Sequence, residues 1–159
     1  MIILNGIGRS EGDQMIIGIV GNGSDKFTFD GSIKAIKIID NILNPPDMLS
    51  SGHSILEGID IWSERVAKRK GCYDEKYIFK PLEESWQFYR HRNLQIATVS
   101  NELHIIVVDV YPRSYREMRF DFCYHDNRTD HVKSGACYTG NQFRKIHNKE
   151  PIYHVVHNY

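Results

Sequence analysis

The sequence predicts a single α/β domain with a mostly parallel β-sheet, and three observations lead to this prediction. The chain has 159 residues, a length that suits one hydrophobic core. Short apolar runs alternate with segments in which apolar residues recur at helical spacing. Hydrophobic residues make up 41% of the chain and charged residues 25%, as in an ordinary globular protein. Strands that alternate with helices in this way form parallel sheets whose faces are covered by helices.

The first strand and helix carry the clearest signals. The run MIIGIVG at residues 15–21 is apolar on both faces, as expected for a buried strand of a parallel sheet. A helix should follow, with Asp30 or Ser32 as its N-cap and the proline pair at residues 45–46 as its stop. Its apolar face would consist of Ile33, Ile36, Ile39, Ile42 and Leu43.

The same alternation continues toward the C-terminus, after an N-terminal extension at residues 1–14 that either adds an edge strand or is dispensable. We expect a second helix with Ile55, Ile59, Trp62 and Val66 on one face, a third at residues 86–100, and a fourth that ends near Ile146. Further strands are expected at residues 47–51, 76–79, 103–110 and 152–156. The run LHIIVVDV at residues 103–110 should be the central strand, because it is apolar on both faces.

Residues 113–130 interrupt the alternation. Met118, Phe120 and Phe122 alternate with polar residues there, which is typical of an exposed antiparallel strand. We therefore expect a Rossmann-like three-layer sandwich, in one domain spanning residues 1–159, with a short antiparallel insertion. The inserted ribbon would also be the natural place for a contact in a homo-oligomer.

Composition and charge exclude several classes of function. Twenty basic residues balance twenty acidic ones, so no overall field attracts the protein to nucleic acid. No apolar run approaches the roughly 20 residues that span a bilayer, and the start of the chain lacks a signal-peptide pattern. The sequence thus predicts a cytoplasmic protein without a membrane partner. The three cysteines are too few and too scattered for a disulfide framework, and we expect thiols.

Three glycine-containing loops lie between predicted strands and helices. Such loops let backbone amides, hydroxyls and helix N-termini approach an anion, although any one of them could equally be a tight turn or a helix cap. None contains the dinucleotide-binding glycine pattern or the lysine-bearing Walker pattern, and no separate cofactor is predicted. The candidate binding residues are Gly21, Asn22, Gly23 and Ser24, then Ser51, Gly52 and His53, and finally Ser134, Gly135, Ala136 and Thr139.

These loops and two further motifs resemble one family. The segments concerned, in chain order, are Ser51-Gly52-His53-Ser54, Gly58-Ile59-Asp60, Ala67 to Gly71, Arg90-His91-Arg92-Asn93 and residues 133–139. In this order they resemble the motifs of the SLOG superfamily, the Rossmann-like domains shared by the DNA-processing protein A and the Lonely Guy cytokinin-activating enzymes. The resemblance implies a phosphate pocket built from the loops at residues 51–52 and 134–135, with Asp60, Arg92 and Asn93 nearby.

Two departures from the family pattern bear on activity. His53 replaces the second glycine of the first loop, which narrows the approach to the backbone and adds a titratable ring. The phosphoribohydrolase branch carries a glutamate shortly after its late loop, whereas this chain has Thr-Gly-Asn-Gln at residues 139–142. Asp60 would either orient a ribose hydroxyl or merely sit in the first turns of a helix, and Arg92 would either bind phosphate or lie on a solvated helix face.

Three functions follow from these residues. The first is binding of a nucleotide or NAD-derived nucleotide, as a sensor or sequestering domain, with Trp86 as the aromatic candidate for base stacking. The second is a nucleotide N-glycoside hydrolase or transferase in which Glu57, Asp60 or His53 serves as acid, base or nucleophile. The third, lesser one is DNA binding of the DNA-processing type, which the zero net charge disfavours.

A metal site is a further alternative. Cys123, His125, His131 and Cys137 fall within fifteen residues, and all four are residue types that bind zinc. Their spacing matches no familiar zinc finger or ribbon, so isolated residues without a metal are the competing interpretation.

Overall fold

The computed structural model describes residues 2–4, 7–9 and 13–159. Its principal sheet has four parallel strands in the order β4-β3-β5-β6, as predicted for an α/β domain. Two short N-terminal strands pair with each other as a separate antiparallel hairpin. The strands are β1 (Ile2–Leu4), β2 (Ile7–Arg9), β3 (Ile16–Gly21), β4 (Met48–Ser50), β5 (Glu102–Val108) and β6 (Ile152–Val156).

Helices cover both faces of the parallel sheet, which makes the architecture consistent with a Rossmann-like three-layer sandwich. One buried cluster joins α1 and α2 to the sheet, and a second buried cluster joins α3 and α4 to the opposite face. No helix among the described residues is long and apolar enough to cross a membrane. The helices are α1 (Phe29–Ile42), α2 (Ile59–Lys70), α3 (Trp86–Val99) and α4 (Ala136–His147).

The central position predicted for residues 103–110 is confirmed. Strand β5 pairs with β3 on one side and with β6 on the other. Its residues alternate between the two clusters: Leu103, Ile105 and Val107 face α3 and α4, whereas Ile106 and Val108 face α1 and α2. A strand buried on both faces must be apolar on both faces, which explains the continuous apolar run.

Several boundaries differ from the sequence prediction. Helix α1 begins at Phe29, and its N-cap is Thr28 rather than Asp30 or Ser32, because the Thr28 hydroxyl accepts a hydrogen bond from the Gly31 amide at 2.9 Å. Helix α2 begins at Ile59, so Ile55 lies in an exposed loop and not on the apolar face of the helix. The strand expected at residues 76–79 is reduced to one parallel bridge between Ile78 and Ser51.

The prediction of an antiparallel insertion at residues 113–130 was wrong. This segment consists of turns and bends, with one isolated antiparallel bridge between Cys123 and Arg128. Some of its backbone amides have local partners, as when the Phe120 amide donates to the Tyr111 hydroxyl at 3.0 Å. Among the described residues no strand pairs with this segment, and Met118 and Phe120 line a cavity.

Asn158 joins the C-terminal end of the chain to the loop that precedes α1. Its side-chain carbonyl accepts the Thr28 amide at 3.0 Å, and its side-chain amide donates to the carbonyls of Lys26 and Val110 at 2.9 and 2.7 Å. The side chain is buried, so water cannot replace these partners. Asn158 therefore holds together two segments that border the cavity.

Replacement of Asn158 by alanine should lower the free energy of unfolding by about 2–4 kcal/mol, because several buried polar groups would lose their partners. The adjacent substitution His157→Ala serves as the control. It removes an exposed ion pair with Asp109 and should cost less than about 1 kcal/mol. Denaturant unfolding of both variants measures the difference, and equal losses would show that Asn158 does not have this anchoring role.

Candidate functional site

A cavity of about 350 Å³ opens at the carboxyl ends of β3 and β5. The chain runs from β3 outward to β4 and returns on the other side of β3 as β5, so the strand order changes direction between these two strands. Loops diverge at such a point and leave a crevice, where ligands of parallel α/β sheets bind. The residues that line the cavity are drawn from the loop after β3, the loop before α2, helix α3, the segment at residues 111–120 and the start of α4.

The loop after β3 forms one wall and is held by Asn22. The side-chain carbonyl of Asn22 accepts the Val108 amide at 3.0 Å, and its backbone amide donates to the Ile106 carbonyl at 3.2 Å. Gly21 must be a glycine here, because a Cβ would lie 2.1 Å from that Ile106 carbonyl oxygen. The Asn22 side chain therefore fixes the loop to β5, and residues 21–23 line the cavity.

Asp60, in the first turn of α2, brings a carboxyl group into the cavity. One of its carboxylate oxygens accepts the Ser54 amide at 3.1 Å. Burial raises the pKa of Asp60 above its ordinary range, although the nearby Arg92 guanidinium opposes the rise. A carboxyl group in this setting can donate or accept a proton, or bind a ligand hydroxyl.

Arg92 reaches the cavity from α3, and three neighbours fix its position. Its guanidinium donates to the Gly52 carbonyl at 3.3 Å and to the Asn93 side chain at 3.1 Å, and it lies 5.1 Å from the centre of the Tyr89 ring. Gly52 makes this packing possible, because a Cβ at this position would lie 2.8 Å from the Arg92 side chain. Gly52 therefore acts through Arg92, without lining the cavity itself.

The start of α4 presents its amide end to the cavity. Ser134, Gly135 and Ala136 all line the wall, and the Ser134 hydroxyl accepts the Ala136 amide at 3.2 Å. Thr139, one turn further on, is fully buried and also borders the cavity. Its hydroxyl has no hydrogen-bond partner within the described part of the chain. A buried hydroxyl without a partner is costly unless a ligand supplies one.

Aromatic and cationic side chains complete the lining. Tyr111 and Tyr115 are stacked with their ring centres 4.5 Å apart, and the Lys26 ammonium lies 5.2 Å from the Tyr115 ring centre. On the same cavity, the Lys133 ammonium lies 4.6 Å from the centre of the Phe120 ring. Together with Arg92, these two lysines give the lining an excess of positive charge over Asp60, which favours an anionic ligand.

The cavity brings together most of the candidate binding residues, but not all of them. Those at the lining are Gly21, Asn22, Gly23, Asp60, Arg92, Asn93, Ser134, Gly135, Ala136 and Thr139, together with Trp86. The others, which do not line it, are Ser24, Ser51, Gly52, His53 and Glu57.

The residues outside the lining have other partners. The Ser51 hydroxyl donates to the Ile19 carbonyl at 3.4 Å, and the Ser24 hydroxyl donates to the Leu56 carbonyl at 2.9 Å. His53 pairs with the buried Glu64 at 2.7 Å. Glu57 is exposed, lies 3.7 Å from Arg65 and does not line the cavity.

Sequence reasoning missed Lys26, Tyr111, Tyr115 and Lys133. Lys133 directly precedes the predicted Ser134-Gly135 loop, and Tyr111 directly follows the predicted central strand at residues 103–110. These positions in the sequence could have identified both residues as candidates for the site. Lys26 and Tyr115 carry no such signal, because they reach the cavity only when their loops fold over it.

A second group of reactive side chains lies behind the start of α4. Cys123, Asp126, His131 and Cys137 each place one potential metal-ligand atom within 4.8 Å of all the others. We call this group the Cys-His-Asp cluster. It differs from the set expected from the sequence, because His125 instead packs near Trp86, with ring centres 6.2 Å apart, and Asp126 takes its place.

Comparison with known proteins finds no matching family model, no matching curated protein and no matching solved structure.

The burial of Asp60 leads to a prediction about stability. Because its folded pKa lies above its unfolded pKa, the folded protein holds a proton that the unfolded chain has released, so stability is lost as pH rises through this interval. Asp60→Asn should remove this loss and raise the free energy of unfolding at pH 7 by roughly 1 kcal/mol, as is common for substitutions at functional sites.

The control is Asp30→Asn, in the exposed first turn of α1. Loss of a favourable charge at a helix N-terminus should lower stability slightly, by about 0.3–1 kcal/mol. Denaturant unfolding at several pH values measures both variants. A destabilised Asp60→Asn protein with unchanged pH dependence would contradict the prediction.

Proposed function

We propose that this protein binds a nucleotide or NAD-derived nucleotide in the cavity at the ends of β3 and β5, as a sensor or sequestering domain. The observation that carries the proposal is that one cavity combines the Arg92 guanidinium, the amide end of α4 and the unpartnered Thr139 hydroxyl with several aromatic rings. A nucleotide has complementary groups for each of these: phosphate oxygens, hydroxyls and a flat base.

Phosphate binding is supported by the start of α4 and by Arg92. The amides of Ala136, Cys137 and Tyr138 already donate to Ser134 and Gly135, so α4 attracts an anion through its helix dipole. Arginine pairs with phosphate through two parallel hydrogen bonds. The Thr139 hydroxyl, which is buried and has no partner among the described residues, belongs to a residue that borders the same cavity. Lys133 adds positive charge to the lining, whereas the charge of Lys26 is paired with Asp25 at 3.0 Å.

Base binding is supported by the aromatic lining. Trp86 is about half exposed and makes an edge-to-face contact with Tyr138, with ring centres 5.5 Å apart, so a face of the indole remains accessible. Tyr111, Tyr115 and Phe120 provide further flat surfaces, and stacking of a base on an aromatic ring contributes about 1–3 kcal/mol. The volume of the cavity falls within the range of ordinary small-molecule sites.

The order of motifs that resembles the SLOG superfamily supports the same ligand class. In that interpretation the loop at residues 134–139 binds phosphate, and Arg92, Asn93 and Asp60 surround the ligand. Residues 51–53 would then affect the ligand without contacting it. The Gly52 carbonyl accepts a hydrogen bond from Arg92, and the Ser51 hydroxyl donates to the Ile19 carbonyl of β3.

A nucleotide N-glycoside hydrolase is the second candidate function, and the burial of Asp60 favours it. A carboxyl group whose pKa is raised can act as a general acid toward the departing base. Glu57 does not support this candidate, because it lies outside the cavity. Release of free base from nucleotides, lost in Asp60→Asn, is the result that would establish hydrolysis over binding alone.

Thermal-shift measurements test the binding proposal directly. Nucleoside mono-, di- and triphosphates, NAD, ADP-ribose and cyclic nucleotides form the panel. A ligand at 100 times its dissociation constant stabilises a protein by about 2.7 kcal/mol, which corresponds to roughly 5–10 °C for a domain of this size. Absence of a shift with every member of the panel would refute the proposal.

Two variants separate specific binding at this cavity from nonspecific attraction of anions. Arg92→Gln should weaken binding about 10- to 100-fold, because it removes charge-assisted hydrogen bonds. Arg90→Gln removes an equal charge from an exposed position on the same helix and should leave binding unchanged. Equal effects of the two substitutions would indicate nonspecific attraction of anions.

Thr139→Val has opposite expected effects on stability and binding. Valine has nearly the same shape, and loss of an unpartnered buried hydroxyl should leave the free energy of unfolding of the ligand-free protein unchanged or higher. Binding of the stabilising nucleotide should nevertheless weaken several-fold. Calorimetric titration together with denaturant unfolding measures both quantities, and unchanged affinity would remove Thr139 from the site.

A further inference from the structure

The spacing of the four residues of the Cys-His-Asp cluster along the chain matches no familiar zinc motif, but the fold brings their side chains together. Cys123, His131 and Cys137 are fully buried, and the Asp126 side chain is almost completely covered. Their four ligand atoms point toward one another, within 4.8 Å. We propose that Cys123, Asp126, His131 and Cys137 form a structural zinc site.

The spacing of the four atoms is close to that of a zinc tetrahedron. Zinc binds sulfur at about 2.3 Å and nitrogen or oxygen at about 2.0–2.2 Å, so neighbouring ligand atoms of a tetrahedron lie roughly 3.3–3.8 Å apart. His131 Nε2 lies 2.9 Å from Asp126 Oδ2 and 3.9 Å from Cys137 Sγ. Adjustments of less than an ångström would therefore bring these atoms around one ion.

The surroundings of His131 orient it as a metal ligand. Its Nδ1 lies 2.7 Å from the Val132 carbonyl oxygen, which can only accept a hydrogen bond, so Nδ1 carries the proton. Its other nitrogen, Nε2, lies 2.9 Å from Asp126 Oδ2, on the side of the cluster. A metal-binding histidine usually donates its second N–H to a carbonyl or carboxylate in this way.

Asp126 is oriented in the same way. The Arg128 amide donates to its Oδ1 at 3.0 Å, and the Tyr153 hydroxyl donates to its Oδ2 at 3.1 Å. These bonds hold the carboxylate with Oδ2 toward the cluster. Hydrogen bonds of this kind to the ligands of a metal site fix their geometry and raise affinity.

The donor set selects the class of metal. Two sulfurs and an imidazole are softer donors than the all-oxygen sites of calcium and magnesium, and four protein ligands in tetrahedral array are typical of structural zinc. The cluster is buried and closed, so it leaves no open position for a substrate. It is therefore distinct from the nucleotide cavity.

A zinc ion here would brace the wall of that cavity. The ligands at residues 123–131 and Cys137 flank residues 132–136, which include Lys133, Ser134 and Gly135 of the lining. Residues 123–135 form no strand and have one isolated β-bridge, between Cys123 and Arg128. The ion would cross-link these residues to the first turn of α4.

Metal analysis of the protein purified under reducing conditions, without added zinc or chelator, tests the proposal. We expect one zinc ion per chain by mass spectrometry, and X-ray absorption of the zinc should show two sulfur and two nitrogen or oxygen ligands. Replacement by Co²⁺ should produce a thiolate-to-metal charge-transfer band and tetrahedral visible bands. Zinc far below one ion per chain, even after titration with Zn²⁺ alone, would overturn the proposal.

Variants test the assignment of ligands. Cys137→Ser and Asp126→Asn should lose most of the bound zinc. Two controls should retain it: Cys72→Ser, at a buried thiol in the hydrophobic core on the other face of the sheet, and His125→Asn. Loss of zinc from His125→Asn with retention in Asp126→Asn would overturn this ligand set. If a ligand variant fails to fold, the X-ray absorption of the wild-type protein decides. None of these measurements uses a nucleotide, so their outcome is independent of the proposed function.

Discussion

The parallel pairing of β3 with β5 positions the cavity and the loops around it. Residues 17–21 pair in parallel with residues 102–106, and the order of strands changes direction between them. The pairing ends where Gly21 lies against the Ile106 carbonyl and Asn22 bonds the Val108 amide. Because β3 ends at this level and β5 ends two residues further on, at Val108, the loops that follow them separate, and the crevice between them becomes the cavity.

The cavity is closed by segments that lack regular structure. Residues 111–134 are held over it by side-chain interactions, among them the hydrogen bonds of Tyr111 with Phe120 and the contact of Lys133 with the Phe120 ring. The Cys-His-Asp cluster lies within the same segment and joins it to α4. One stretch of chain therefore carries part of the cavity lining and three of the four residues to which we assign the metal.

Two features of the cavity oppose stability and favour binding. Asp60 is a buried carboxyl, and Thr139 is a buried hydroxyl without a partner among the residues that the structure describes. Each costs free energy in a ligand-free protein. Such features are expected where a ligand completes the interactions, and they distinguish this cavity from a packing defect lined by apolar side chains.

Elements with local sequence signals could be predicted before the fold was known. The alternation of strands and helices, the central position of β5 and the limits of β6 all follow from hydrophobic periodicity, because the buried faces of these elements repeat at fixed spacing. The glycine loops at residues 21–23 and 134–136 were predictable for the same reason, since they follow a strand or open a helix.

Which side chains come into contact could not be predicted in the same way, because it depends on how distant segments pack. Thr28 caps α1 because its hydroxyl reaches the Gly31 amide, and residues 113–130 form turns and bends that bring Tyr115, Met118 and Phe120 to the cavity. Asp126 joins the cysteines where the sequence favoured His125, since neighbouring residues in a turn point in different directions. Residue types and spacing do not specify such directions, which depend on backbone torsions that are set by contacts between distant segments.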